Sequence, residues 1–139
     1  MNEVLHLRSG DPTPLWVELL ESQAFGEPWG PLENHEHLLA IAPQAFIRWC
    51  AIPTADEAEL IRIAVVPEAR RAGLARRLME TSEAFLREEG IDNLYLEVRT
   101  SNTPARALYE ALGWKLQRLR KAYYRDGEDA VIYWKQLGR

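Results

Sequence analysis

Residues 60–78, with the sequence LIRIAVVPEARRAGLARRL, decide the fold of this chain. An apolar strand ends at Pro67, a turn contains Gly73, and an arginine-rich helix follows. The first backbone N–H groups of a helix have no partner within it and lie at the positive end of its dipole, so they attract phosphate groups. Because Gly73 has no side chain, a ligand can also approach the backbone closely there. The stretch therefore indicates an anion-binding turn between a strand and a helix.

The charge around this turn has two interpretations. Its four arginines are Arg70, Arg71, Arg76 and Arg77. They either hold an anion or form the solvated face of an amphipathic helix. Two other phosphate-binding motifs are excluded, because no Gly-Lys-Ser/Thr follows and the three spaced glycines of a dinucleotide fingerprint are missing. An anion here would be held by backbone and arginine, without a metal.

Hydrophobic periodicity on either side of this stretch predicts further strands and helices. We expect strands at residues 3–8, 38–42, 46–52, 59–66, 91–98, 114–122 and 130–137, and helices at residues 11–24, 70–89 and 103–112. Asp11 is the expected N-cap of the first helix, a short helix is expected before His37, and Asp126-Gly127 predicts a hairpin turn. The prediction is one α/β (α+β) domain over residues 1–139, with helices on both faces of a single sheet.

The composition excludes several classes of protein. The chain has 139 residues, with 17 Lys+Arg and 21 Asp+Glu, for a formal net charge of −4. Its single cysteine, Cys50, cannot form an internal disulfide, and no apolar run approaches the roughly 20 residues of a membrane-spanning helix. A pI near 5.4 argues against general nucleic-acid binding, and the first residues, MNEVLHLRSG, show no signal peptide. We expect a cytoplasmic protein without nucleic-acid or membrane partners.

Charge is distributed unevenly along the chain. Residues 1–60 carry two basic and ten acidic side chains, whereas residues 61–139 carry 15 basic and 11 acidic ones. Such a division suits a protein that binds an anionic ligand in one place and a cationic ligand in another. Solvated surface charge would produce the same division, so composition leaves both interpretations open.

Motifs in the second half of the chain resemble the GNAT superfamily of N-acetyltransferases. Residues 70–75, RRAGLA, are similar to its Arg/Gln-x-x-Gly-x-Gly/Ala pyrophosphate loop and follow an apolar strand, as in that family. Residues 96–99 (LEVR), Ser101-Asn102, residues 107–114 (ALYEALGW), 120–124 (RKAYY) and 126–130 (DGEDA) resemble its RimI-like branch. That branch acetylates protein N-termini, including the N-terminal alanine of a ribosomal protein. The resemblance covers about residues 59–135, and residues 1–58 match it weakly.

The resemblance implies a fold, a cofactor and a reaction. The fold is a mixed, mostly antiparallel sheet whose parallel strands, at residues 59–66 and 91–98, splay apart to admit acetyl-CoA. The reaction is direct acetyl transfer to a primary amine in a ternary complex, with CoA as the product and no metal. An amine is mostly protonated at neutral pH and a thiolate leaves, so the reaction needs a general base and a general acid.

The family also implies which residues bind the cofactor. The strand backbone would pair with the pantetheine amides, the arginine-rich turn would hold the pyrophosphate, and Asn102 would bind the pantetheine arm. The implied residues are Ile63, Ala64, Val65, Arg70, Arg71, Ala72, Gly73, Leu74, Ala75, Arg76, Asn102 and Tyr109. Asn102 is equally suited to be a turn or cap residue before the following helix.

Glu97 and Tyr109 are the catalytic residues that the resemblance implies. Glu97 alternates with apolar residues in its predicted strand, which fits a solvated face, with Arg99 as a partner, as well as a wet cleft. The RimI-like branch places its base at this glutamate. Tyr109 lies on the apolar stripe of its helix, which is typical of a core residue, although a tyrosine can pack its ring and point its hydroxyl into a pocket. In the family, a tyrosine at this spacing lies beside the cofactor sulfur and acts as the acid.

Trp29, Tyr123 and Tyr124 are further substrate-binding candidates, beside Glu97. Trp29 lies in a Pro/Gly-rich loop, and the two tyrosines lie near the predicted hairpin turn, where they also fit cross-strand packing. In the RimI-like branch, these two segments flank the incoming peptide. The pattern His35-x-His37 alone does not make a metal site, because a metal needs more ligands.

The resemblance leaves three functions open. The first is acetylation of a protein N-terminus, such as that of a ribosomal protein, by a monomer or homodimer. The second is acetylation of a small amine, such as a polyamine, an amino acid or an antibiotic, because residues 1–58 diverge from the RimI-like branch. The third is a non-catalytic CoA-binding module, which the presence of Glu97 and Tyr109 disfavours.

Overall fold

The computed structural model describes residues 3–138. Within them the chain forms seven strands and three α-helices, which turns and loops connect. The strands are β1 (Leu5–Arg8), β2 (Glu36–Ile41), β3 (Ala45–Ile52), β4 (Glu57–Val65), β5 (Asn93–Arg99), β6 (Lys115–Arg120) and β7 (Ala130–Gln136). The helices are α1 (Leu15–Phe25), α2 (Leu74–Glu88) and α3 (Thr103–Ala111), with 3₁₀ turns at Pro53–Ala55 and Pro67–Ala69. None of the helices in these residues is long and apolar enough to cross a membrane.

All seven strands join one sheet, in the order β1-β2-β3-β4-β5-β7-β6. Neighbouring strands are antiparallel, apart from the central pair β4 and β5, which run parallel. The predicted mixed, mostly antiparallel sheet with one parallel pair at its centre is therefore confirmed.

The parallel strands β4 and β5 are paired only where they begin. The paired residues are Glu57 with Asn93, Ala58 with Leu94, and Glu59 with Tyr95. Within the described residues, β4 then continues to Val65 and β5 to Arg99 without further pairing between them. Each strand keeps its other neighbour, β3 or β7, so the sheet divides into two arms at this point.

Apolar side chains cover both faces of the sheet. In β2, Leu39 and Ile41 join a core that includes α2 and α3, whereas Leu38 and Ala40 pack with α1. Successive residues of a strand point to opposite faces, so these two groups lie on opposite sides of the sheet. The predicted arrangement of helices on both faces is confirmed.

The first helix begins later than the sequence predicts. α1 starts at Leu15 and not at Pro12, because Pro14 disfavours helical backbone at the residue before it. Asp11 does not cap the helix; its Oδ2 atom accepts a hydrogen bond from the Arg8 backbone N–H at 2.8 Å. The prediction of a short helix before β2 is also wrong, because that segment consists of turns and irregular backbone.

The arginine-rich segment divides into a loop and a helix. Arg70 is extended, while Arg71 and Gly73 have left-handed backbone, with φ of 68° and 80°. A right-handed helix does not accommodate left-handed residues, so α2 begins only at Leu74. The predicted helix start at Arg70 is therefore wrong, and the residues before Leu74 are free to form a binding turn.

The connection between β6 and β7 is longer than a two-residue hairpin loop. The turn predicted at Asp126-Gly127 is present, with a φ of 89° at Gly127. However, β6 already ends at Arg120 and β7 begins only at Ala130. The turn therefore lies within a longer loop, whose Asp126 and Glu128 bind Arg99 at the end of β5.

Candidate active site

A cavity of about 490 Å³ lies at the carboxyl end of β4, next to the start of α2, and we call it the β4–α2 cavity. Ile63, Ala64 and Val65 line it from β4. One edge of these residues pairs with β3, while β5 has already diverged from the other edge. The backbone N–H and C=O groups on that side, apart from the Val65 carbonyl oxygen that Arg70 binds, are therefore available to an extended ligand that adds to the strand.

The arginine-rich turn forms another wall of the β4–α2 cavity. Its lining residues are Arg70, Arg71, Gly73, Leu74, Ala75 and Arg76, and Ala72 is not among them. Gly73 occupies the N-cap position of α2 and has no side chain to cap the helix. The first N–H groups of α2 thus have no partner within the helix and lie at the positive end of its dipole, where they can bind an anion.

Two arginines at this wall, Arg70 of the turn and Arg76 of α2, form hydrogen bonds with neighbouring elements. Arg70 Nε donates a hydrogen bond to the Val65 carbonyl oxygen at 3.1 Å. Arg76 Nη2 donates one to the Ala111 carbonyl oxygen of α3 at 3.3 Å. These bonds fix two guanidinium groups at the cavity wall, while the side chain of Arg71 is exposed.

A second cavity, of about 590 Å³, lies where β4 and β5 begin to diverge, and we call it the β4–β5 cavity. Ionisable side chains of both signs line it. The carboxylates belong to Glu57, Glu59 and Glu97, and the guanidinium groups belong to Arg118 and Arg120. The structure therefore places the predicted base in a polar cavity and not on an open face of the sheet.

Glu97 has two polar neighbours in the β4–β5 cavity. Arg120 Nη1 lies 3.7 Å from Glu97 Oε1. The Tyr123 hydroxyl interacts with the same carboxylate, and this interaction raises the pKa of Tyr123. Arg99, the alternative partner, instead binds two acidic residues of the β6–β7 connection. The Glu97 side chain is 26% exposed, so water and a ligand can reach its carboxylate.

Glu59 lies near Glu97 and has no ion-pair partner among residues 3–138. Its side chain is open to the cavity, yet the surrounding protein limits its hydration and thereby raises the pKa of Glu59. The negative charges of Glu97 and Glu57 raise this pKa further. A positively charged group in the cavity would relieve this repulsion.

Tyr109 is largely buried on α3. Its ring packs against Trp114 and Tyr133, at centroid distances of 6.2 and 6.3 Å. Burial raises the pKa of Tyr109 to about 12, so the hydroxyl keeps its proton at neutral pH. Tyr109 does not itself line either cavity, but its neighbours Leu108 and Leu112 line the β4–α2 cavity. The ring belongs to the core, and the role of the hydroxyl stays a prediction.

Asn102 and Trp29 lie outside the lining of both cavities. Asn102 is the N-cap of α3, and its Oδ1 atom accepts a hydrogen bond from the Ala105 N–H at 3.3 Å. Trp29 is 49% exposed and packs on Arg62, whose Cζ atom is 5.1 Å from the ring centroid. Their contacts with cofactor and substrate stay predictions.

Tyr123 and Tyr124 form an aromatic pair beside the β4–β5 cavity. Their rings are T-shaped, with centroids 5.1 Å apart. The Cζ atom of Arg120 lies 4.6 Å from the Tyr123 ring centroid, and that of Arg99 lies 4.1 Å from the Tyr124 ring centroid. The pair is therefore held by two arginines, and Tyr123 reaches the predicted base.

Two of the three histidines, His6 and His37, form an aromatic cluster with Phe85, and none of these residues lines either cavity. His6 Nε2 and His37 Nδ1 are 3.0 Å apart, and both rings pack against Phe85. No group of three or more potential metal ligands is found among the described residues.

Glu59, Arg118 and Arg120 of the β4–β5 cavity were not predicted as site residues, although Arg120 begins the motif RKAYY. A local signal exists for Glu59, because Glu57 and Glu59 alternate with the buried Ala58 and Leu60. That pattern alone indicates only a polar strand face. The pairing of β4 with β5, which brings Glu59 close to Glu97, is not encoded in neighbouring residues.

Comparisons with known proteins agree with this architecture. The sequence model of the acetyltransferase (GNAT) family matches residues 2–114. The ribosomal protein bS18-alanine N-acetyltransferase of Salmonella typhimurium is 36% identical, over 95% of each chain. The crystal structure of the ribosomal-protein-S18-alanine N-acetyltransferase from Escherichia coli has a TM-score of 0.79 and 33% identity, covering 100% of this chain and 96% of that one.

A more distant structure shares the fold alone. It is a GNAT family acetyltransferase from Elizabethkingia anophelis, crystallised with acetyl-CoA bound. Its TM-score is 0.71 at 15% identity, and the match covers 96% of this chain and 97% of that one.

Proposed function

The chain belongs to the acetyltransferase (GNAT) family and is an N-acetyltransferase, and we propose that it transfers the acetyl group of acetyl-CoA to the α-amino group of a protein N-terminus. The observation that supports this most is the pair of cavities along β4. One cavity offers an anion-binding turn, and the other offers carboxylates. An anionic donor and a cationic acceptor therefore have separate approaches to the same strand.

The β4–α2 cavity fits acetyl-CoA. Arg70, Arg71 and Arg76 would hold the pyrophosphate, together with the free N–H groups of the first turn of α2. Residues 63–65 would pair through their backbone with the pantetheine amides, and Asn102 would bind the same arm. When bound, acetyl-CoA supplies an activated acetyl thioester.

Glu97 is the proposed general base. An α-amino group has a pKa of about 8, so it arrives mostly as an ammonium group and must lose a proton before it attacks. Glu97 would take that proton through a water molecule, because its carboxylate is accessible from the cavity. Arg120 and Tyr123 both approach the Glu97 carboxylate and would orient it toward that water.

Tyr109 is the proposed general acid. The departing thiolate needs a proton, and a phenol whose pKa is raised to about 12 still carries one at neutral pH. The packing of its ring against Trp114 and Tyr133 limits the directions that its hydroxyl can take. A proton donor that must protonate one particular atom, here the departing sulfur, needs such a fixed direction.

A protein N-terminus is the proposed acceptor because the relatives that match nearly the whole chain are named for a ribosomal-protein alanine. A ribosomal protein in the cytoplasm is therefore the first candidate substrate. Trp29, Tyr123 and Tyr124 would flank the incoming peptide, since they are partly exposed aromatic rings near the two cavities.

The test is a competition between acceptor classes. The protein is incubated with acetyl-CoA and three acceptors: peptides with a free N-terminal alanine, the same peptides with a blocked N-terminus and an internal lysine, and small amines such as a polyamine. Mass spectrometry with fragmentation locates each acetyl group. We expect acetylation only at the free N-terminus. Acetylation of small amines alone would overturn the proposed acceptor and favour a small-molecule acetyltransferase.

A further inference from the structure

Arg62 occupies the part of β4 between the two cavities. Residues 57–59 line the β4–β5 cavity, and residues 63–65 line the β4–α2 cavity. The Arg62 Cζ atom lies 4.5 Å from the ring centroid of Phe25 and 5.1 Å from that of Trp29. Two aromatic rings are therefore held beside the part of β4 that separates the two cavities.

Hydrogen bonds fix the Arg62 guanidinium group in this position. Arg62 Nη1 donates to Glu21 Oε2 at 3.1 Å and to the Glu27 carbonyl oxygen at 2.9 Å. Glu21 belongs to α1 and its side chain is only 1% exposed, and its Oε2 atom also lies 3.8 Å from Arg48 Nη1. One side chain thus joins α1, and the loop that follows it, to the centre of the sheet.

Arg48 on β3 anchors the rest of that loop. It lies opposite Arg62 in the β3–β4 register and is fully buried. Its Nη2 atom donates to the carbonyl oxygens of Gly30 and Pro31, at 2.8 and 2.9 Å, and to Glu36 Oε1 at 2.8 Å. The segment around Trp29 is therefore fixed at both sides by arginines of adjacent strands.

Phe25 and Trp29 leave much of their apolar surface uncovered. They are 41% and 49% exposed, and Phe25 also lines the β4–α2 cavity. Large aromatic side chains with this exposure gain little from burial, and a guanidinium group packed on both rings restricts where they can lie. The exposed surface is available to an apolar group of a ligand.

We infer that Arg62 is a positioning residue of the acceptor site, which holds Phe25 and Trp29 as a preformed apolar wall for the first side chains of the acceptor peptide. This inference rests on the proposed function, because it names the part of a protein N-terminus that the wall contacts. Arg62 acts through the two rings and does not touch the acceptor. The wall favours a peptide with an apolar first side chain over a polyamine, which has no such side chain.

The test compares substitutions of Arg62 with a matched control. Arg62→Met removes the charge and the hydrogen bonds but keeps a chain of similar length. Arg87→Met is the control, since it removes one exposed arginine from the last turn of α2. We expect Arg62→Met to raise the acceptor KM on the order of tenfold, with kcat and the acetyl-CoA Kd within about twofold of wild type. The control should change none of these values.

A double-mutant cycle shows whether Arg62 acts through Trp29. Trp29→Ala should raise the acceptor KM by itself, and Arg62→Met should add little in its presence. Fully additive effects, or an unchanged KM in folded Arg62→Met, would overturn the inference. If Arg62→Met does not fold, because Glu21 keeps only Arg48 as a partner, Arg62→Lys keeps a positive charge and takes its place in the same cycle.

Amide hydrogen exchange gives a readout that does not depend on any acceptor. The hydrogen-bonded amides of residues 20–26, where α1 leads into the loop, should exchange faster in Arg62→Met or Arg62→Lys than in wild type or in Arg87→Met, because Arg62 binds both Glu21 and the Glu27 carbonyl. Unchanged exchange would overturn the positioning role. A wild-type protein that acetylates no N-terminal peptide would defeat the proposed function, while the exchange result would still decide whether Arg62 holds the loop.

Discussion

Glu97 combines the two properties that a general base needs, which are access to water and a fixed orientation. Its carboxylate opens into the β4–β5 cavity, whereas Leu96 and Val98 on either side of it are buried in the core. Arg120 and Tyr123 approach it from β6 and from the loop after β6. The side chain is therefore held in place without being sealed from substrate.

Replacing Glu97 tests its chemical role directly. Glu97→Gln keeps the size of the side chain but cannot accept the proton, so kcat should fall by roughly 10²- to 10⁴-fold. The Kd for CoA should stay within about twofold of wild type, because Glu97 lies outside the β4–α2 cavity. Steady-state kinetics and calorimetry measure the two quantities. Unchanged turnover would remove Glu97 from the base position.

At the scale of elements, the turn before α2 is the part of the proposed site that binds the cofactor and contains neither proposed catalytic residue. Arg71→Glu reverses an exposed charge in this turn and leaves the bonds of Arg70 and Arg76 in place. We expect the Kd for CoA to rise on the order of tenfold, about 1.4 kcal/mol. The increase should shrink as salt is added, because exposed charges are screened. A matched Arg125→Glu variant, with the same charge change in the β6–β7 connection, should leave the Kd for CoA unchanged.

The loop between β6 and β7 is held to the end of β5 by Glu128. Hydrogen bonds from Ser101 and Arg99 lower the pKa of Glu128 to about 2. The ionised side chain therefore stabilises the fold at pH values above 4.5, its ordinary pKa, and this stabilisation is lost as the pH falls toward 2. Since this loop carries Tyr123 and Tyr124, Glu128 also supports the proposed peptide contacts.

Glu128→Gln should lower Tm by a few degrees near neutral pH. The difference from wild type should shrink as the pH is lowered through the range between the ordinary and the lowered pKa of Glu128, because both proteins are then neutral at this position. Thermal unfolding followed by circular dichroism at several pH values measures this. A Tm difference that does not change with pH would contradict the assignment of the stabilisation to the charge of Glu128.

Local patterns explain which elements the sequence predicts and which it does not. The alternation of Leu94, Leu96 and Val98 identifies β5, because it depends only on neighbouring residues. The start of α2 is less predictable, since the left-handed backbone of Arg71 belongs to a residue type that rarely adopts it. The bond between Arg62 and Glu21 spans 41 positions in the chain, so no local pattern indicates it.

At the scale of the whole molecule, only part of the uneven charge of the chain is reflected in the two cavities, because Glu97, Arg118 and Arg120 of the β4–β5 cavity also come from the second half of the sequence. The basic turn of the β4–α2 cavity comes from the second half of the sequence, and Glu57 and Glu59 of the β4–β5 cavity come from the acidic first half. The motif around Gly73 made the first cavity predictable, because a turn and a helix start are local structures. The second cavity assembles from β3, β4, β5, β6 and β7, and only their pairing order brings its charges together.

Calorimetric titration of the protein with CoA tests most directly whether the turn before α2 and the open edge of β4 form a cofactor site. We expect saturable binding at one site per chain, with an affinity that falls as the ionic strength rises, because a diphosphate is held by arginines and backbone N–H groups. No detectable binding at about 1 mM CoA, a concentration that reveals even weak complexes, would contradict the assignment of the site.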